Sequence, residues 1–151
     1  MRPGEGRPTD LPGEHIVGLV SGRDTGGRLA VAEYELAAQY GTSEHRHLEA
    51  GEFFYVLQGP VTFDLDGIEH EVPTGSAIWV PPGVAHRVSN LGDSAVRMLG
   101  AFAPSGPEML FQGMQRLHEQ TGGSPTEADI RAVLLEYDIE PVGPSRFGRD
   151  V

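Results

Sequence analysis

The chain has 151 residues, 38% of them hydrophobic and 22% charged, the make-up of one globular domain around a single core. Its formal charge of -11 sets up a field that repels phosphate backbones and anionic lipid, so neither nucleic acid nor a membrane surface is an expected partner. With no cysteine, disulfides, thiolate metal sites and cysteine nucleophiles are excluded, and any chemistry falls to histidines and carboxylates.

Residues 1–14 are rich in proline and glycine without hydrophobic periodicity, and they read as a flexible arm. Met1-Arg2-Pro3-Gly4-Glu5 lacks the apolar core of a secretory signal, and no run of about 18 apolar residues exists to span a membrane, so a cytoplasmic protein is expected. From residue 15 to residue 104 short apolar bursts alternate with turn signals such as Gly26-Gly27, Pro73-Thr74-Gly75 and Asn90-Leu91-Gly92-Asp93, the pattern of a β-barrel or sandwich. Asp66-Gly67 between two alternating runs predicts a hairpin with a type I′ turn. Residues 105–151 form a helical extension. Leu110, Met114 and Leu117 recur at helical spacing from Pro107 onward, as do Ile130, Val133, Leu134 and Tyr137 from Pro125. Ser124, Pro125, Thr126 and Glu127 supply a capping start for the second helix.

His45 and His47 are two apart, so on a strand both imidazoles point to one side. Glu52 opens the next apolar burst and can face the same interior, and His86, after the turn Pro81-Pro82-Gly83-Val84-Ala85, adds a ligand from distant sequence. Three neutral imidazoles and a carboxylate suit Fe, Mn, Co, Ni, Cu or Zn better than Mg or Ca, with one ion per subunit. His15, His70 and His118 have no motif partner and read as surface residues, and Glu49 as a solvated turn residue. If the four ligands face the interior, alternation places Phe54, Val56, Phe63, Leu65 and Val88 on that side, and Trp79, Met98 and Phe102 are assigned to the same pocket. A small-molecule substrate is the expected partner.

These residues resemble the two motifs of the cupin superfamily. His45, His47, Glu52 and Gly59 are similar to the first motif, and Gly75, Pro81, Gly83, His86 and Asn90 to the second. Where the family pattern leads with glycine, six residues before His45, this chain has Gln39. The resemblance implies an all-β double-stranded helix (jelly-roll barrel) carrying two C-terminal α-helices. The stretch from about residue 40 to residue 142 further resembles the small single-barrel proteins grouped with quercetin dioxygenase. That likeness implies a homodimer and an oxidoreductase that cleaves an enolic aromatic substrate with dioxygen, Glu52 serving as ligand and general base. The same ligand set serves a non-redox isomerase, cyclase, lyase or decarboxylase, and a non-catalytic binding barrel is the third alternative.

Overall fold

The computed structural model describes residues 5–137 and 139–142. In chain order its strands begin with β1 (Arg7–Leu11), β2 (Glu14–Val20), β3 (Ala30–Leu36), β4 (Tyr40–Gly41), β5 (His45–His47) and β6 (Gly51–Gln58). There follow β7 (Val61–Leu65), β8 (Ile68–Val72), β9 (Ala77–Val80), β10 (His86–Asn90) and β11 (Val96–Ala103). A short helix α1 (Gly22–Thr25) joins β2 to β3, and α2 (Met109–Gln120), α3 (Glu127–Glu136) and a last strand β12 (Ile139–Pro141) complete the described chain.

Two antiparallel sheets result, in the order β1-β2-β3-β11-β6-β9 and β12-β5-β10-β7-β8, with β4 on β10. This is the jelly-roll architecture expected from the sequence. Strand alternation explains the layering: in β3, Ala30, Ala32, Tyr34 and Leu36 point inward while Glu33 and Glu35 keep to the surface. Leu36, Val56, Val61 and Phe63 are fully buried between the sheets, where the Phe54 ring lies 5.0 Å from that of Phe63. Asp66 and Gly67 both have positive φ, 49° and 82°, and join β7 to β8 in the type I′ hairpin expected there.

The amino-terminal segment departs from the expected flexible arm. Residues 7–11 form a strand paired with β2 from Arg7↔Gly18 to Leu11↔Glu14, and residues 1–4 lie outside the described residues. Pro8 is tolerated because β1 is the edge of its sheet, where a missing N–H breaks no ladder on the open side. Pro12-Gly13 makes the turn: Gly13 has φ 84°, and a Cβ there would stand 2.1 Å from the Tyr40 ring. At the other end, the expected capping start is displaced. Thr126 caps α3, its hydroxyl accepting from Asp129 N–H while the Asp129 carboxylate accepts from Thr126 N–H. The extension is also not wholly helical, since β12 returns to pair with β5, and its portion beyond residue 142 lies outside the described residues. Met114, Leu117, Ile130, Leu134 and Ile139 bury a second apolar cluster under these helices. Among the described residues no helix is long and apolar enough to cross a membrane.

Two motif positions hold the loop over this barrel end. Gln39 takes the left-handed conformation that glycine would adopt freely, φ 55°, and its amide donates to the carbonyls of Leu91 (2.7 Å) and Gly92 (3.1 Å). Asn90 is completely buried, its amide nitrogen within 3.1 Å of the Leu36, Ala37 and Ser94 carbonyls and its oxygen accepting from Gly92 N–H. Asn90→Ala would leave those groups without partners, so urea denaturation should show a loss of about 2–4 kcal/mol. A loss within ~0.5 kcal/mol would mean that water replaces the amide.

Candidate metal centre

His45 and His47 lie on β5 with one residue between them, so both rings enter the barrel, and β10 sets His86 directly opposite His45. The turn that delivers His86 is docked on the same strand: Gly83, at φ 80°, donates its N–H to the His47 carbonyl at 2.7 Å. Glu52 comes from the other sheet, on β6, paired with Phe102 and Val80. Three imidazoles of one sheet therefore meet a carboxylate of the other. One ligand atom from each of the four lies within 4.8 Å of all the others. Ligands at about 2.1 Å from a shared ion span at most about 4.2 Å, so a contraction well under 1 Å would complete the shell.

The donors are prepared for this. His45 Nδ1–H donates to the Ser43 carbonyl at 2.8 Å and His86 Nδ1–H to the Val84 carbonyl at 3.1 Å, which turns both Nε2 atoms to the centre. His47 is buried and neither ring nitrogen makes a hydrogen bond among the described residues, although its Nε2 is 3.3 Å from Glu52 Oε2. An orphaned buried imidazole is the donor that an ion would satisfy. Burial pulls the His45 ring down to about 3, helped by the neighbouring His86 and His47, so it is a neutral lone-pair donor. Burial alone would raise Glu52, but His47 and His86 outweigh it and hold the carboxyl near 2. For His86 burial acts downward, and the Glu52 carboxylate 3.2 Å away reverses it. The four side chains could hold a divalent transition ion.

Above the cluster is an apolar cavity of about 70 Å³. Phe54, Val88, Met98 and Phe102 line it as expected from the sequence. Val56 and Phe63 point inward as well but lie in the sealed core, and half-buried Leu65 packs against that core rather than the cavity. Trp79 is corrected outright: Val80 takes the inward position of β9, so Trp79 faces out, 49% exposed, across the bare backbone of Gly51. His15, His70 and Glu49 are exposed, but His118 is half-buried, with Nδ1 donating to the Met114 carbonyl.

Sequence reasoning missed Glu14, Tyr34 and Phe111, all of which line the cavity. Pro12-Gly13 between Leu11 and Ile16 is a turn signal that could have placed Glu14 at a strand start. Burial and then the charge of Glu52 push the Glu14 carboxyl up to about 7, with the Tyr40 hydroxyl beside it acting the other way. Burial also raises the Tyr34 hydroxyl well above its ordinary value, and that hydroxyl has no hydrogen-bond partner among the described residues.

Residues 32–102 match the family described as cupin domain. Over this segment the chain resembles a cupin domain, in keeping with its two-sheet jelly roll. The matched segment and its flanks resemble polyketide synthase CurC of Streptomyces cyaneus, 35% identical over 106 residues, covering 70% of this chain and 65% of that protein. Protein SchB of Streptomyces halstedii is 38% identical over 65 residues, 43% of this chain and 47% of that protein. The chain thus matches about half to just under two thirds of these relatives' own length. Among solved structures, the polyketide cyclase RemF of Streptomyces resistomycificus superposes with a TM-score of 0.60 at 24% identity, over 70% of this chain and 78% of that one, a likeness of fold.

Elemental analysis of the purified protein should find close to one divalent ion per chain, and His86→Ala should fall below about a tenth of that loading, since the loss removes a ligand and strands Glu52. Unchanged loading would contradict the ligand assignment. A second expectation concerns Glu14. Its folded pKa, near 7, lies above the ordinary 4.5. The folded state therefore binds that proton more tightly than the unfolded one, and the resulting stability is complete below about pH 4.5 and lost as pH rises through 7. In chelator-treated protein, Glu14→Gln should match the wild type near pH 4.5 and exceed it by about 2–4 kcal/mol above pH 7. Parallel stability curves would refute the shift.

Proposed function

We propose that this cupin is a metal-dependent, non-redox enzyme that closes a ring on a poly-β-ketone chain by aldol chemistry. The observation that carries the reading is a division of labour between two carboxylates in one apolar cavity: Glu52 is held ionised among the histidines, while Glu14 titrates near neutrality. The names of the relatives support it, CurC being a polyketide synthase and RemF a polyketide cyclase. A divalent ion on His45, His47, Glu52 and His86 would supply a Lewis acid that polarises a ketone oxygen and makes the adjoining methylene more acidic.

Glu14 is matched to proton transfer because its affinity for a proton is close to that of the medium, whereas Glu52 is tied down too far to accept one. Ionised Glu14 takes a proton from a methylene between two carbonyls. The resulting carbon nucleophile bonds to a carbonyl carbon further along the same chain, and the new alkoxide recovers the proton. Loss of water then gives the aromatic ring, so atoms and electrons balance without an oxidant. Tyr34 stays protonated and offers its hydroxyl to the oxygen on which negative charge develops. The apolar walls, among them Phe54, Met98 and Phe102, keep water from quenching the carbon nucleophile.

A quercetinase-like dioxygenase would use the same cluster with Glu52 as base. The depressed Glu52 and the polyketide names favour ring closure over it. The homodimer implied by the family resemblance and the cytoplasmic location expected from the sequence belong to this proposal as well.

The test is incubation of a synthetic linear poly-β-ketone chain ending in an alkyl carboxylate with zinc-loaded protein under argon, followed by mass spectrometry. A cyclised product lighter by one water is expected, formed without oxygen, abolished by chelation, and slowed by about 10²–10⁴-fold in Glu14→Gln. Turnover that requires oxygen would transfer the protein to the dioxygenase class. No acceleration over buffer would remove the enzyme reading for this substrate.

A further inference from the structure

Two cavities lie along the inward face of the same sheet, and one side chain, Phe111, lines both. Along β3, Tyr34 and Leu36 line the chamber at the ligand cluster, whereas Ala32, one inward step earlier, lines a second cavity of about 370 Å³. Phe111 of α2 lines both, and its ring meets Tyr34 edge-on with centroids 5.6 Å apart. The inner chamber, at about 70 Å³, falls far short of the ~300–1,000 Å³ typical of small-molecule pockets, while the outer one lies within that range.

The outer cavity has an apolar floor of Ile16, Gly18, Ala32 and Met109, with Arg7 and Arg23 among its lining residues. Two of the chain's 11 basic residues thus stand at one cavity, although acidic residues number 22 overall. Asp24 and Glu108 also line it, but both carboxylates are engaged. Asp24 accepts from Ser21 N–H (2.9 Å) and Oγ–H (2.8 Å), and Glu108 accepts from the N–H groups of Gly22 and Gly106. Arg7 approaches Asp24 only to 3.9 Å, and Arg23 forms no side-chain hydrogen bond or ion pair among the described residues. Both guanidiniums retain donors for a ligand.

We infer that the two cavities are one substrate channel interrupted by Phe111, taking a linear acyl chain whose terminal carboxylate is held by Arg7 and Arg23 while the reacting segment passes Phe111 to the cluster. This deepens the ring-closure reading by naming a long, carboxylate-ended substrate, and it rests on that reading only for the chemistry at the inner end.

The test is calorimetric titration of the full chain, with and without added zinc, using dodecanoate and dodecanol as probes. Dodecanoate should bind with one site per chain in both preparations and more tightly than dodecanol. The double variant Arg7→Gln/Arg23→Gln should weaken dodecanoate tenfold or more and leave dodecanol unchanged. Both arginines are on the surface side of the cavity, so the variant keeps the fold. Phe111→Trp, which enlarges the partition, should weaken both long probes. The inference is overturned if dodecanoate does not bind, if the arginine variant binds it as well as the wild type, or if dodecanoate binds only when zinc is present, which would put the carboxylate on the ion instead. Because the zinc-free arm needs no chemistry, binding without metal-dependent turnover would sink the ring-closure reading alone, and turnover without this binding would sink the channel alone.

Discussion

An ionised carboxylate inside an apolar barrel is the constraint on which the rest of the structure turns. Glu52 is 5% exposed, and desolvating such a group costs several kcal/mol unless cationic or hydrogen-bonding partners surround it. His47 and His86, at 3.3 and 3.2 Å, supply that compensation, and they can do so only if both sheets keep their register. The pairing of His86 with His45 and the docking of Gly83 on the His47 carbonyl fix one side of the cluster; the pairing of Glu52 between Phe102 and Val80 fixes the other. A slip of one residue in either sheet would turn that sheet's ligands to its opposite face and break up the cluster.

The ends of the chain determine what this cluster can do. The β1–β2 hairpin carries Glu14 into the cavity, α2 contributes Phe111 and Met114, and β12 pairs with the ligand strand β5 through Ile139↔His47. These elements are additions around the barrel, yet they set the polarity of its mouth. Covering the cluster with apolar side chains lowers the local dielectric, and that is why Glu14 keeps its proton to about 7 when an exposed glutamate would lose it. The hairpin thus links a local turn, Pro12-Gly13, to the protonation state of a side chain in the cavity.

The four-residue cluster was legible because its information is local and periodic. His45 and His47 at strand spacing, a glutamate opening the next strand and a histidine after a Pro-Gly turn need no tertiary knowledge to be grouped. The same periodicity placed Phe54 and Val88 but could not say how deep each inward residue sits, so Val56 and Phe63 were indistinguishable from wall residues although they lie in the sealed core. Trp79 faces out because the phase of its strand is set by Val80, and the outward face is open to its ring only because residue 51 is glycine. The hairpin at residues 7–20 was hidden by composition: proline and glycine at its edge and turn look like disorder until a neighbouring strand, β3, is there to accept it. The second helix start was displaced for a similar reason, since a serine before proline and a threonine after it both offer a capping hydroxyl and only backbone geometry selects Thr126.

The placement of charge in the cavity has a further consequence for the chemistry proposed. An enolate forming beside two ionised carboxylates would meet repulsion from both in a low-dielectric space. With the proton shared between substrate and Glu14, the total charge of the pair stays constant as the carbon is deprotonated, so the cost of forming the anion is largely one of moving charge rather than creating it. Tyr34 then matters more than its apolar surroundings suggest: a phenol held in its neutral form, lining the cavity and unpaired among the described residues, has no such bond to break before it donates to a substrate oxygen. Its ring is also the surface against which Phe111 rests, so the group that would receive the developing charge is the one that a passing chain must uncover.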